Sequence, residues 1–111
     1  MSKQITFEYD GAKYTLEFTR KTVQLMQQNG FSADMVTDKP AVGIPMLFRG
    51  AFMVNHKNLK PGLADKIYES IKDREKLIPM LLVMYNEPIM EMIEDPEDTE
   101  KNVNWGANFE I

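Results

Sequence analysis

The sequence predicts an α+β domain over residues 1–94, in which an N-terminal antiparallel β-hairpin packs on a bundle of about four short helices. Three observations support this fold class. A turn dipeptide separates two alternating segments near the N-terminus, amphipathic stripes at helical spacing follow, and the periodicity gives way to acidic sequence near residue 95. We therefore expect residues 95–111 to form a mobile acidic tail.

The hairpin is predicted over residues 3–18. Its turn is Asp10-Gly11, a dipeptide typical of type I′ turns, because both central residues of that turn need a positive φ. With these two residues in the loop, the alternation of apolar and polar residues determines both the register and the buried side. An isolated hairpin is only marginally stable, so we expect its apolar side to pack on helices. The facing pairs are Ile5–Leu16, Phe7–Tyr14 and Tyr9–Ala12 on one side, and Thr6–Thr15 and Glu8–Lys13 on the other.

Four helices are predicted at about residues 20–29, 44–57, 63–72 and 78–94. Thr19 is expected to cap the first helix, and Asn29-Gly30 to end it with glycine in a left-handed conformation and Phe31 folded back. The second has the clearest amphipathic stripe. That stripe consists of Ile44, Leu47, Phe48, Ala51 and Phe52.

Two prolines set the predicted limits of the last helix. Pro79 lies too deep for a helix that begins at Arg74, so we expect the regular helix to start near Ile78. Asn86 and Pro88 resemble a capping residue followed by a first-turn proline, and they predict a restart of the helix.

Composition narrows the possible functions. The chain of 111 residues has no cysteine, which excludes disulfides, thiolate nucleophiles and cysteine-based zinc sites and is typical of proteins in a reducing cytosol. No apolar run approaches the roughly 18 residues that a transmembrane helix needs. The net charge of −4 is concentrated in residues 94–111, which carry six acidic residues and one basic residue. The near-neutral remainder lacks the basic footprint of a nucleic-acid-binding protein, so we expect neither nucleic acid nor a membrane as a partner.

The sequence offers no pattern typical of an enzyme. His56 is the only histidine, the carboxylates have no suggestive spacing, and the six glycines are dispersed without forming a phosphate-binding loop. We interpret His56 as a helix-end residue that caps or lies in solvent. We therefore expect no catalytic activity, no metal site and no cofactor.

The nine methionines are more informative. Four of them crowd the last predicted helix, at positions 80, 84, 90 and 92. Methionine fills irregular gaps in cores and also builds adaptable protein-binding surfaces, and the sequence leaves both interpretations open. Segment 78–93 is apolar on nearly every side, a pattern typical of a helix that is fully buried or held by a partner. An oligomer interface or a protein-binding face is the more specific hypothesis.

The tail carries aromatic and apolar residues after its acidic run. The acidic residues Asp95, Glu97 and Asp98 precede Val103, Trp105 and Phe109. One interpretation is that the tryptophan folds back onto the domain as an anchor. The other is a short recognition element, in which an aromatic anchor flanked by charge becomes ordered on binding.

Four segments, in this order, resemble one known family. They are ITFEYDGAKYTLEFTRKTVQLMQQNGF, LFRGAF, MYNEP, and EDPED leading to a tryptophan, and together they extend from about Ile5 to Trp105. In this pattern the chain resembles the tail assembly chaperones of siphophages and prophages of Gram-positive bacteria.

The resemblance implies a non-enzymatic protein of the host bacterial cytoplasm that is absent from the mature virion. Such chaperones bind the tape-measure protein, keep it in solution and help to bring tail-tube subunits to it. In many of these phages a ribosomal frameshift also yields a longer form. The resemblance implies the tape-measure and tail-tube proteins as partners, and a homo-oligomer is a further possibility.

Combined with this resemblance, the sequence suggests two binding elements. An adaptable apolar surface is expected from the helices around Leu47–Met53 and Met80–Met92, and the tail is expected to supply a mobile recognition element. The alternatives are a small structural tail or connector component that stays in the virion, and a host-modulating protein-binding module. The candidate surface residues are Leu47, Phe48, Phe52, Met53, Met80, Met84, Tyr85 and Met92, and the candidate tail residues are Asp95, Glu97, Asp98, Val103, Trp105 and Phe109.

Overall fold

The computed structural model describes residues 3–97 and 99–108, and its N-terminal element is the predicted hairpin. Strands β1 (Gln4–Tyr9) and β2 (Ala12–Glu17) pair antiparallel. Asp10 and Gly11 have φ values of 50° and 79°, the positive values that a type I′ turn requires. Every predicted facing pair occurs in the observed register. The turn dipeptide and the alternation thus correctly predict the hairpin.

Within the described residues five helices follow the hairpin, and the predicted α+β class is confirmed. The prediction of about four helices omits one short helix, which forms between the first and second predicted helices. Just over half of the described residues are helical. The helices are α1 (Arg20–Gln28), α2 (Met35–Asp38), α3 (Pro40–Ala51), α4 (Pro61–Ser70) and α5 (Arg74–Ile93).

Both ends of α1 follow the local sequence signals. The Thr19 hydroxyl accepts a hydrogen bond from the Thr22 amide, and the Thr22 hydroxyl accepts one from the Thr19 amide, which completes a capping box. At the other end Gly30 has a φ of 95°, and the Phe31 amide donates to the Met26 carbonyl at 2.9 Å. This Schellman arrangement turns the Phe31 ring back into the core, as predicted.

The bounds of α3 differ from the predicted range of 44–57. The helix begins at Pro40 because proline suits the first helical position, where its missing N–H has no intrahelical acceptor. Pro45, expected near the start, lies inside the helix instead. The helix ends at Ala51, and residues 52–55 form turns.

The predicted start and restart of the last helix are wrong. α5 begins at Arg74 and continues to Ile93 with Pro79 and Pro88 inside it. Each proline removes one N–H from the helical ladder, which disfavours a helix interior. The packing of α5 on α1 and α3 compensates for the missing hydrogen bonds. The side of α5 that faces them buries apolar side chains, including Leu81 and Pro88. Tertiary burial therefore overrides the local proline signal.

The hairpin is fastened to the segment after α3 through His56. The Thr15 amide donates to Nε2 of His56 at 3.0 Å, and the Asn55 side-chain amide donates to the Thr15 carbonyl at 3.5 Å. In this register Thr15 lies in a non-hydrogen-bonded pair, so its backbone groups point away from β1. His56 is half-buried, and its ring centroid is 5.1 Å from that of Tyr14. It therefore covers part of the open edge of β2, a role that the sequence did not indicate.

Gly43 allows α2 and α3 to approach closely. A Cβ atom at this position would overlap the Met35 carbonyl group and would lie 2.7 Å from the Val36 amide nitrogen. These are backbone atoms, so they cannot move aside without a shift of the helix. Gly62, in the first turn of α4, has open space around the corresponding position.

We expect Gly43→Ala to lower the free energy of unfolding by about 1–3 kcal/mol, because the added methyl group overpacks the contact between two helices. The measurement is urea denaturation followed by circular dichroism. Gly62→Ala is the matched control and should be neutral or slightly stabilising, since alanine is the better helix former. Equal stability of the two variants would contradict the close approach at Gly43.

A second prediction concerns the contact between His56 and the hairpin. His56→Ala removes the acceptor for the Thr15 amide and the ring packed on Tyr14, so we expect a loss of about 1–3 kcal/mol in unfolding free energy. Asn58→Ala, at an exposed position two residues further on, is the control and should change stability little. A His56→Ala variant as stable as that control would show that the contact contributes nothing.

Candidate protein-binding surfaces

Five of the eight predicted surface residues belong to the hydrophobic core, which corrects the sequence-based surface. Each is at most 5% exposed, so each offers almost no area to a partner in this conformation, although Phe52 lies in the floor of the cleft described below. The physical reason is that their helical stripes pack against one another and against the hairpin. The five residues are Leu47, Phe48, Phe52, Met84 and Tyr85.

The remaining three residues do not form one surface. Met53 is half-buried in the turn after α3, whereas Met80 and Met92 are 52% and 54% exposed on α5. Met80 and Met92 are also about 18 Å apart along the helix axis, at 1.5 Å per residue. The structure thus replaces the single predicted surface with two separate ones.

The first surface is a cleft of about 290 Å³ beside the C-terminal half of α3, which we call the methionine cleft. Its floor is formed largely by apolar side chains from three parts of the chain. The Arg49 and Lys57 side chains lie at its edge, and the Arg49 guanidinium forms a two-pronged ion pair with Asp65, the shorter contact being 2.7 Å. The apolar residues that define the cleft are Met26, Phe31, Met46, Met53 and Leu59.

Gly50 helps to shape this cleft. A Cβ atom there would overlap the Sδ and Cε atoms of Met26, so the absence of a side chain lets Met26 lie directly against α3. A neighbouring cavity of about 410 Å³ is lined by Leu25 and Val54 and shares Met53 and Lys57 with the cleft. Met53 therefore lies between two adjoining hollows, where an unbranched side chain can adapt to different contacts.

The second surface is the outer face of α5, which we define as Pro79, Met80, Val83, Met90 and Ile93. These side chains lie on the side of the helix that faces away from α1 and α3. Val83 is 55% exposed and Ile93 is 71% exposed. Among the described residues, five of the eight strongly exposed large apolar side chains lie on this helix, four of them in the outer face and the fifth, Met92, outside it. The sequence-based surface included Met80 but missed Val83, although its spacing from Pro79 and Met90 could have identified it.

The tail residues are exposed where the structure describes them. Asp95 and Glu97 are exposed, and Val103 and Trp105 are 85% and 84% exposed. The Trp105 ring therefore does not pack on the domain in the way that the anchoring interpretation requires. The two other predicted tail residues, Asp98 and Phe109, lie outside the described residues.

Two kinds of feature are absent from the described part of the chain. No group of three or more histidine, aspartate or glutamate side chains is placed to hold a metal ion within residues 3–97 and 99–108. Over the same residues, no helix combines the length and apolarity needed to cross a membrane.

Comparison with known proteins identifies the family. The model of a domain of unknown function, DUF5055, matches residues 1–109. The chain belongs to the DUF5055 family. No curated protein and no solved structure matches the chain. The family match thus covers the hairpin, all five helices and most of the tail of this DUF5055 chain.

The position of Trp105 gives a direct test of the exposed tail. It is the only tryptophan of this DUF5055 chain, so the intrinsic fluorescence excited at long wavelength reports on the tail alone. We expect its emission to be that of indole in water and to stay unchanged through the urea transition that circular dichroism detects. A tryptophan placed at half-buried Tyr14 in a Trp105→Phe background is the control and should shift to longer wavelength. Native emission at short wavelength that shifts with unfolding would contradict the exposed position.

Proposed function

We propose that this protein is a phage tail assembly chaperone that acts without catalysis. In this proposal it binds the tape-measure protein in the host bacterial cytoplasm, helps to recruit tail-tube subunits, and is absent from the finished virion. The structural observation that supports the proposal is the methionine cleft, an apolar concavity lined by flexible side chains. The resemblance of the sequence to tail assembly chaperones names the partners.

The cleft suits an amphipathic helix as its occupant. Met46 from α3 and Met53 from the turn after α3 are half-buried and line it, and Met26 from α1, which is 5% exposed, lies in its floor. Methionine-rich grooves accept apolar helix faces of different sequence, because the unbranched side chains change rotamer with little loss of packing. A tape-measure protein presents many such faces along one helical chain. The ability of the cleft to accept different sequences therefore matters more than high affinity for one of them.

Many weak sites can suppress aggregation by mass action. A protein that binds an exposed segment of the tape-measure protein stabilises the unaggregated form of that protein. The stabilisation free energy grows with the ratio of free binder concentration to Kd. Several copies along one chain therefore need only moderate affinity each. The acidic tail, whose net charge of −4 equals that of the whole chain, favours solubility of the resulting complex through repulsion between copies.

The experiment is co-expression with the tape-measure protein of the same phage or prophage. We expect the full chain to bring the tape-measure protein into the soluble fraction and to co-purify with it. Met53→Glu should reduce the soluble fraction several-fold, because it places a charge in the apolar cleft. Val42→Glu is the matched control, since Val42 is 51% exposed on α3 and does not line the cleft. Circular dichroism of each variant verifies that the fold is intact.

A chain truncated after Glu94 separates the two candidate binding elements. If the tape-measure protein stays soluble with this truncated chain, the folded domain holds it and the tail is dispensable. If the full chain leaves the tape-measure protein insoluble and unbound, the proposal fails. Mass spectrometry of purified particles tests the alternative role, because a structural tail component would be present there and a chaperone would be missing. Met84→Glu is unsuitable as a probe, since Met84 is 5% exposed and the change would disrupt the core.

A further inference from the structure

The outer face of α5 has the spacing of a helix-pairing seam. Positions 76, 79, 83, 86, 90 and 93 are separated alternately by three and four residues, which keeps them on one side of a helix. Four of these positions are apolar, namely Pro79, Val83, Met90 and Ile93. Lys76 begins the series, and Asn86 lies at its centre.

This face is not needed by the fold. The opposite side of α5 buries Leu81, Met84, Tyr85 and Pro88 against the rest of the domain. One apolar side is enough to pack a helix on a core of this kind. α5 has a second apolar side, and that side remains exposed. Half-buried Leu82 and Ile89 border the face and extend it. An apolar strip of this kind on a single helix is typical of a docking surface.

The charges of α5 indicate what would cover this face. The first turn carries Arg74 and Lys76 against one acidic residue, Glu75, whereas Glu91 and Glu94 lie at the C-terminal end, with no basic residue in the last turn. The net charge of each end, positive at the N-terminus and negative at the C-terminus, opposes the helix dipole, which favours the reverse. A second α5 running in the opposite direction would place each end beside its complement. A parallel copy would instead bring like charges together.

We propose that two copies of this chain associate through antiparallel packing of their α5 helices. The two helices then cross at a point between Val83 and Asn86. Along the helix axis, Met90 of one copy lies level with Pro79 and Met80 of the other. The same arrangement places Lys76 within one residue, about 1.5 Å along the axis, of the height of Glu94. Every contact then occurs twice, as a two-fold symmetric interface requires. Asn86 lies near the axis, where a polar residue within an apolar seam favours one register.

The interface is small. A helix of 20 residues is about 30 Å long and presents a face about 10 Å wide, below the roughly 800 Å² per partner of a standard stable interface. We therefore expect reversible association that depends on protein concentration. This inference does not rest on the proposed function, because it concerns the chain alone.

The test is sedimentation equilibrium of the full chain over a wide concentration range at low salt. We expect a reversible monomer–dimer equilibrium for the native sequence. Val83→Glu should raise the dimer dissociation constant more than about tenfold, because dimerisation would then bury an unpaired charge. Val42→Glu introduces the same charge at a similarly exposed site outside the face and should leave the constant unchanged. Both positions are exposed, so the monomer fold is expected to survive, and circular dichroism verifies it.

A charge-reversal pair tests the direction of packing. Lys76→Glu should weaken the dimer about two- to fivefold, the range of an exposed ion pair, and Glu94→Lys should do the same. The double variant should restore the native constant, because antiparallel packing brings the two positions together. In a parallel pair the two positions lie at opposite ends of the seam. The double variant would then keep a weakened dimer, with a dissociation constant above the native value.

Three results would overturn the proposal. The first is a monomer at every concentration, including the case in which the outer face binds another protein instead. The second is a dimer that Val83→Glu leaves intact. The third is a disulfide between two Met90→Cys chains, since antiparallel packing holds these positions about 16 Å apart along the axis, well beyond disulfide reach.

Discussion

The Tyr85 ring is the point at which the hairpin, α1 and α5 converge. Its centroid is 5.6 Å from that of Phe18, the residue after β2, and 5.2 Å from that of Phe31, the residue that follows the end of α1. Both contacts are edge-to-face, the geometry that aromatic rings prefer. The Gln27 side-chain amide donates to the Tyr85 hydroxyl at 3.2 Å, so the polar end of this buried residue is also satisfied. The rotation of α5 about its axis is thereby determined.

That rotation explains why α5 is both a core helix and an exposed apolar helix. Once Tyr85 and Leu81 point inward, residues half a turn away must point outward, and these include Val83 and Met90. The same packing explains how the helix continues through two prolines. Pro88 is itself buried, so its ring contributes apolar contact on the side where the helix meets the domain. Packing of the inner side therefore decides both the continuity of α5 and the composition of its outer face.

Local signals in the sequence predict the hairpin and α1 well. Asp10-Gly11 determines a register, and the residues around Thr19 and Gly30 determine both ends of a helix, because each signal acts within a few residues. The sequence did not predict which apolar residues are exposed. Periodicity shows that Met80, Met84 and their neighbours occupy different sides of a helix, but it cannot show which side meets the core. The methionine cleft depends on residues between positions 26 and 59 that only tertiary packing brings together.

The two proposed surfaces are compatible because they do not overlap. The methionine cleft is lined by residues of α1, α3, α4 and their connections, and no residue of α5 lines it. α5 packs on α1 and α3 with its inner side, so its outer face points away from both. A dimer formed through α5 would therefore leave one cleft open on each copy. Two linked clefts raise the effective concentration of the second site once the first is occupied, so a long helical partner would be held more tightly than by either site alone. Weak self-association and weak cleft binding, each reversible by itself, would then together give a coat that forms on an extended partner and still comes apart.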